Sequence, residues 1–197
     1  REQGVRKVVL LSGRGVKEAA VAETIIADSG LEWTFVRAAW FSQNFSEGDF
    51  GFMTQAGVIA LPMGDAVEPI IDADDIAEVV AVALTNTSLN DQSLDLSGPE
   101  ALTHDQIAGV LSKATGRKIR YEPITDDAFR SALNSLDVLA EYIDLLVYLF
   151  DVTRSGVNAA PTGDVERILG RPAKSFGEFA LEAASEGLLA PQGVTHG

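Results

Sequence analysis

Residues 8–36 read VVLLSGRGVKEAAVAETIIADSGLEWTFV, and their order decides the fold class. Val8-Val9-Leu10-Leu11 is a continuous β-branched and aliphatic run closed by Ser12-Gly13, the pattern of a parallel strand covered on both faces. From Val16 to Ser29 apolar residues recur at helical spacing (Ala19, Ala22, Ile25, Ile26), and Gly30 supplies the residue expected just past a helix end. Trp33 to Val36 is the next strand, with Leu31-Glu32 as the turn. A crossover this short joins parallel neighbours in right-handed fashion, so an α/β sheet follows.

Downstream, the pattern predicts a short helix to about Gln55, strands at Val58 to Leu61 and Pro69 to Ile71, and a helix to about Asn86 opened by Asp74-Asp75. Ser93 to Leu96 alternates as a strand before the Ser97-Gly98-Pro99 turn. Thr103 with Gln106 forms a capping-box pattern for a helix to about Thr115, and Ile119 to Pro123 is a further strand. Helices are expected near Asp126 to Leu133, Val138 to Arg154, Gly163 to Leu169 and Phe176 to Glu186. The apolar stripe of Leu139, Ile143, Leu146, Val147 and Phe150 suits the lid of a small lobe.

Composition narrows the function. The 197 residues, 46% of them hydrophobic, suffice for one well-buried core with a small appended lobe. Fifteen basic residues against 29 acidic ones give a net charge of −14, which argues against a nucleic-acid partner. The absence of cysteine removes disulfides, thiolate metal sites and cysteine nucleophiles. No apolar stretch approaches the ~20 residues of a membrane span, and a cytoplasmic protein without a membrane partner is expected.

The runs Val5 to Gly15, Gly30 to Phe45, Ile71 to Ala77 and Leu94 to Thr103, followed by Tyr121-Glu122-Pro123-Ile124, resemble in order and spacing the NmrA-like family. This is an atypical branch of the short-chain dehydrogenases/reductases. The resemblance implies a partial doubly wound Rossmann-like parallel sheet that binds NAD(P), with NADP slightly preferred, and a small helical C-terminal lobe over the strands' carboxyl ends. Residues 1–100 would form an incomplete Rossmann-type core and 101–197 mainly the substrate lobe. Family members begin with a strand and a TGATGxxG turn that receives the pyrophosphate. This sequence opens instead inside the helix leading to a later strand, which leaves NAD(P) binding open to loss in such a fragment. Either the residues belong to a longer chain or the protein is naturally truncated. Val8 to Leu11 is expected to be an interior strand; if the chain starts at Arg1, a homodimer through that strand is expected.

Short-chain dehydrogenases protonate through Tyr-x-x-x-Lys, which this sequence lacks; with Glu23 aligned to the acid that follows that Lys, Gly15 and Ala19 stand where the pair would be. Ser12 resembles the family's Ser facing the nicotinamide, and reads equally as a strand-terminating turn residue. Gly13 begins a Gly-x-Gly that superficially resembles a dinucleotide fingerprint. Arg37 sits where a 2′-phosphate-binding Arg could stand, or resembles a structural strand-end Arg. Ser12, Gly13, Arg37 and Trp40 are the candidate cofactor-binding residues, and Phe41, Gln43, Asn44 and Phe45 the candidate substrate-binding ones. Aromatic faces mixed with two amides suit a flat ring. Trp40 and Phe45 read alternatively as core. Asp72, Asp74 and Asp75 read as helix capping rather than a metal cluster. His104 and His196 are expected to be solvated.

The reading that follows is an NAD(P)H-dependent oxidoreductase moving hydride to a small planar acceptor such as a quinone or azo compound. The alternatives are an NAD(P)-sensing regulator without turnover, and a truncated dimerising module that binds no dinucleotide.

Overall fold

The computed structural model describes residues 3–191. The opening run becomes strand β1 (Lys7–Gly13), followed by helix α1 (Ala19–Ala27) and strand β2 (Glu32–Ala38). β1 and β2 are parallel, in a register that sets Ser12 beside Arg37 and Gly13 beside Ala38. Strand β5 (Gln92–Leu96) pairs in parallel with the other edge of β2, giving a three-stranded sheet in the order β1-β2-β5. The fold is therefore α/β, with β2 central and Thr34, Phe35 and Val36 fully buried.

Alternation along β2 separates the two faces. Arg37 looks toward α1, whereas Val36 packs with Ile76, Val79 and Ala83 of helix α3 (Ala73–Thr85). The Asp72 carboxylate caps α3 by accepting from the Asp74 N–H at 2.8 Å.

Within the described residues β1 lies at the sheet edge, paired only with β2. Its side chains are half-buried except Leu11, which is 50% exposed. The apolar run reports the packing of α1 and α3 against the strand, not the pairing of its outer edge.

A second core gathers helix α2 (Gly48–Ala56), strands β3 (Val58–Leu61) and β4 (Val67–Glu68), helix α4 (His104–Thr115), strand β7 (Arg120–Pro123), and helices α5 (Asp126–Asn134), α6 (Ala140–Arg154) and α8 (Phe176–Ser185). Here β3 pairs in parallel with β7, and β4 runs antiparallel to the two-residue β6 (Leu102–Thr103). Residues 45–70 thus join the helical lobe, so the two cores do not divide at residue 100. Helix α7 (Asp164–Leu169) returns to the sheet, with Val165 in its core. The capping box at Thr103 and Gln106 forms as expected, and a second one at Ser175 and Glu178 opens α8.

Gly98 follows β5 in so close an approach that a Cβ there would lie 2.0 Å from the Ile70 carbonyl oxygen. That contact anchors the Ser97-Gly98-Pro99 turn against the segment leading into α3. Among the described residues no helix is long and apolar enough to cross a membrane.

Candidate functional site

Parallel strands deliver their carboxyl ends to one edge of the sheet, where ligands of open α/β folds bind. At that edge a cavity of about 140 Å³ lies between Gly13, Ala38, Ala39 and Trp40 on the sheet side and Leu149, Val152 and Thr153 of α6 opposite. Arg14, Val16, Glu68 and Asn158 complete it. A wider groove of about 400 Å³ shares Gly13, Arg14, Val16 and Asn158 with it and extends to Lys17, Arg37 and Asp95.

The loop after α6 straps this edge. Arg14 donates to the carbonyls of Asn158 and Ala160 at 3.0 and 2.9 Å, and Asn158 Nδ2 returns a bond to the Arg14 carbonyl at 2.8 Å. Further along, the Thr162 N–H donates to Ser97 Oγ at 2.7 Å, and the Asp164 carboxylate accepts from the Asp95 N–H at 2.8 Å. The loop therefore spans from the end of β1 to the end of β5.

The candidate residues divide by what their polar atoms already do. Ser12 Oγ donates to Glu23 Oε1 at 2.7 Å, and Arg37 grips the same carboxylate through Nε and Nη2 at 2.9 and 2.5 Å. The Arg37 guanidinium, outweighing the opposing effect of burial, holds the Glu23 carboxyl below the ordinary carboxylate value. Ser12 is thus committed to a β1-α1-β2 ion-pair cluster, and Arg37 borders the wide groove while held in the same cluster. Gln43 bridges the start of α3, donating to Asp72 Oδ2 at 3.2 Å and accepting from the Ala73 N–H at 3.0 Å.

Phe41 forms a bridge to Ile71 and packs on the sheet core, whereas Phe45 is buried among Phe50, Phe176 and His104. Asn44 faces a separate cavity of about 120 Å³ with Trp40, Asp49 and Tyr142. Gly13 and Trp40 meet at the main cavity. Trp40 Nε1 donates to Thr153 Oγ1 at 3.0 Å, and its ring stacks near those of Phe50 and Phe150 at 5.8 Å.

Asp72, Asp74 and Asp75 belong to the start of α3, and Arg171 and Lys174 neutralise them: Arg171 bonds the buried Asp75 at 2.7 Å, and Lys174 lies 3.6 Å from Asp72. His104 is a correction. It is 4% exposed, lies between Phe45 and Tyr121, and has no partner for Nδ1. Its position at the first turn of α4 turns it inward, and burial pushes its pKa down to about 4. His196 falls outside the described residues.

Glu68 was not singled out by sequence. It ends the two-residue β4 at 2% exposure, with no hydrogen bond of ordinary geometry to either carboxyl oxygen. Burial raises its pKa to about 7 against the lowering influence of the Trp40 backbone, Arg14 and Thr153. It lines the main cavity on one side and, with His104, a small closed aromatic cavity on the other. The available signal was a lone acid inside the apolar Val67-Glu68-Pro69-Ile70-Ile71 run.

Residues 18–167 match the NmrA-like family. The chain belongs to that family. It is 33% identical over 92% of its length to a (4-alkanoyl-5-oxo-2,5-dihydrofuran-3-yl)methyl phosphate reductase of Streptomyces griseus, covering 67% of that protein. It is 32% identical over 81% of its length to an NAD(P)H azoreductase of Xenophilus azovorans, covering 56% of that protein. The chain thus spans between half and two thirds of the length of these relatives. Its fold is shared with an NADPH-dependent quinone oxidoreductase of Escherichia coli solved with NADPH (TM-score 0.79, 22% identity, 91% of this chain and 66% of that one).

Proposed function

We propose that this NmrA-like chain forms the acceptor side of an NAD(P)H-dependent reductase acting on a small planar compound such as a quinone or azo dye. The observation that carries the reading is the cavity at the carboxyl ends of β1 and β2. Its floor is made of the small residues Gly13, Ala38 and Ala39, its side is the flat Trp40, and its wall holds an unpaired carboxyl. Small floor residues let a planar ring approach the backbone, and an orphaned buried polar group awaits a ligand partner, so these residues fit the nicotinamide end of the cofactor. The naming of relatives as an azoreductase and a quinone oxidoreductase supports the acceptor class.

When bound, the dihydronicotinamide would supply hydride. The chain's residues would do the rest: Gly13 and Trp40 border the ring, α6 and the 158–164 strap exclude water, and Lys17 and Arg14 in the wide groove favour an anionic part of the cofactor. Asn44, whose side chain has no hydrogen-bond partner among the described residues, offers an amide to the far side of the acceptor.

The test is a fluorescence titration with NADPH and NADH, followed by oxidation of the reduced cofactor in the presence of a naphthoquinone and an azo dye. Saturable binding with acceptor-dependent oxidation is expected. Absence of binding to either cofactor removes the reading, and binding without turnover favours the regulator, a role suggested by the missing Tyr-x-x-x-Lys pair.

A further inference from the structure

Two-electron reduction of a quinone or azo bond consumes a proton as well as a hydride, and no Tyr-x-x-x-Lys pair exists here to deliver it. The group that delivers it must reach the cavity, must carry a transferable proton near neutrality and must not be spent on a structural bond. Ser12 is committed to Glu23, Thr153 to Trp40 and to the Leu149 carbonyl, and Gln43 to the start of α3. The Tyr148 hydroxyl accepts from the Lys17 N–H at 3.4 Å and is bonded to the Glu18 carboxylate.

We propose that Glu68 is the proton donor of this cleft, a carboxylic acid whose O–H is aimed at the oxygen or nitrogen of a planar acceptor bound beside Trp40. Four observations place it there. Its carboxyl lines the cavity at the strands' carboxyl ends, it is 2% exposed, neither oxygen makes a hydrogen bond of ordinary geometry although the Trp40 backbone and Thr153 lie beside it, and the ring of Trp40 lines the same wall. A carboxyl so enclosed prefers its neutral form, which burial raises to about 7. The charged and titratable groups around it are Arg14 across the cleft and His104 across the aromatic cavity. Arg14 is held at the strap by Asn158 and Ala160, and His104 stays neutral.

The proposal rests on the reductase reading. Bound NAD(P)H would supply the hydride and with it both electrons, which leaves one proton for the chain to deliver. The Glu68 O–H bond breaks, its proton forms the new O–H or N–H bond of the reduced acceptor, and the carboxylate recovers a proton from water entering the cavity mouth.

The experiment compares the wild-type chain with Glu68→Gln, which keeps the shape and removes the transferable proton. Turnover of a naphthoquinone with NADPH is expected to fall about a hundredfold in kcat, with little change in KM or in NADPH affinity, and the rate decline of the wild type above neutrality should vanish. In parallel, infrared difference spectra of wild type against the variant should show a protonated-carboxyl C=O band that titrates near neutrality and shifts on adding naphthoquinone without cofactor. Full kcat with an unchanged pH profile in Glu68→Gln would overturn the proposal. So would a carboxyl band that the quinone leaves unmoved. If NADPH binds neither protein, the reductase reading fails, and the infrared shift still decides whether Glu68 meets the acceptor.

Discussion

Arg14 and Asn158 hold each other through their backbones, the guanidinium bonding the Asn158 carbonyl at 3.0 Å and the Asn158 amide bonding the Arg14 carbonyl at 2.8 Å. The exchange clamps the turn after β1 to the loop after α6, closing the cavity on its open side. Gly15, at φ +71°, makes room for it, since a Cβ there would lie 2.7 Å from Asn158 Nδ2. Asn158→Ala removes one bond and unpairs the Arg14 carbonyl, so a loss of about 1–2 kcal/mol is expected. Urea denaturation measures the loss, and hydrogen exchange should show faster opening at residues 156–163. Unchanged exchange there would mean the strap is held by Thr162 and Asp164 alone.

The Ser12, Glu23 and Arg37 cluster joins β1, α1 and β2. Arg37→Ala leaves a buried carboxylate with only the Ser12 hydroxyl and should destabilise the chain by about 2–3 kcal/mol. The sign with pH follows from Glu23, whose folded pKa lies below its unfolded value. Its contribution is present above the ordinary carboxylate range and is lost as pH falls through the folded value. The gap between wild type and Arg37→Ala in urea melts should therefore close on the acid side. A double-mutant cycle with Glu23→Gln should recover most of the loss as coupling.

Glu68 and His104 oppose each other in their pH dependence. Glu68 is raised from 4.5 to about 7, so its relative stabilisation is complete below 4.5 and is lost as pH rises through 7. Glu68→Gln should then gain on the wild type with rising pH, by about 3 kcal/mol once the carboxyl is ionised. His104 is lowered from 6.5 to about 4, so the unfolded chain binds the proton first and stability falls as pH drops from 6.5 toward 4. His104→Leu should flatten that acid limb in thermal melts. Parallel curves for either variant and the wild type would contradict the burial that sets these shifts.

Much of the fold was readable because local rules fix it. The VVLL run, the helix stop at Gly30 and the capping box at Thr103 each act within a few residues, and β1, α1 and α4 form where those signals stand. The pairing of Val58–Leu61 with Arg120–Pro123 had no local signal, nor did the two-residue β4 and β6, whose partner is remote in sequence. The site was harder. Gln43 looked like a ligand amide because its true partners, Asp72 and the Ala73 N–H, arrive from another element. Glu68 escaped notice because its burial exists only once β4, the end of β2 and α6 converge on it. Composition marks a residue as polar; only the assembled neighbours decide whether that polarity is spent.

Gly98 tests how tightly the end of β5 is built. A methyl group there would meet the Ile70 carbonyl oxygen at 2.0 Å, and backbone on both sides leaves no flexible side chain to yield. Gly98→Ala is expected to lower stability by about 3 kcal/mol or to prevent folding, while Gly109→Ala, with no atom within 4 Å of its added Cβ and set within α4, should be neutral or slightly stabilising. Equal melting temperatures for the two variants would show that the Ser97-Gly98-Pro99 turn can move away from Ile70.

The outer edge of β1 yields the last prediction. The Arg14 N–H bonds Ala38 and the Arg6 carbonyl bonds the Glu32 N–H, so in a parallel ladder the even-numbered residues point their backbone groups at β2. Val9 and Leu11 therefore turn their N–H and C=O groups away from it, and Leu11 also exposes half of its side chain. An unpaired, apolar edge recruits another strand, and we expect the isolated chain to associate with itself there as its concentration rises. Leu11→Pro removes an outward N–H without touching the β1-β2 ladder, since proline is tolerated on edge strands. Light scattering should find a concentration-dependent dimer in the wild type and a monomer in the variant at the same concentration. A wild-type chain that stays monomeric at millimolar concentration would mean that this edge is protected in solution by something other than a second copy.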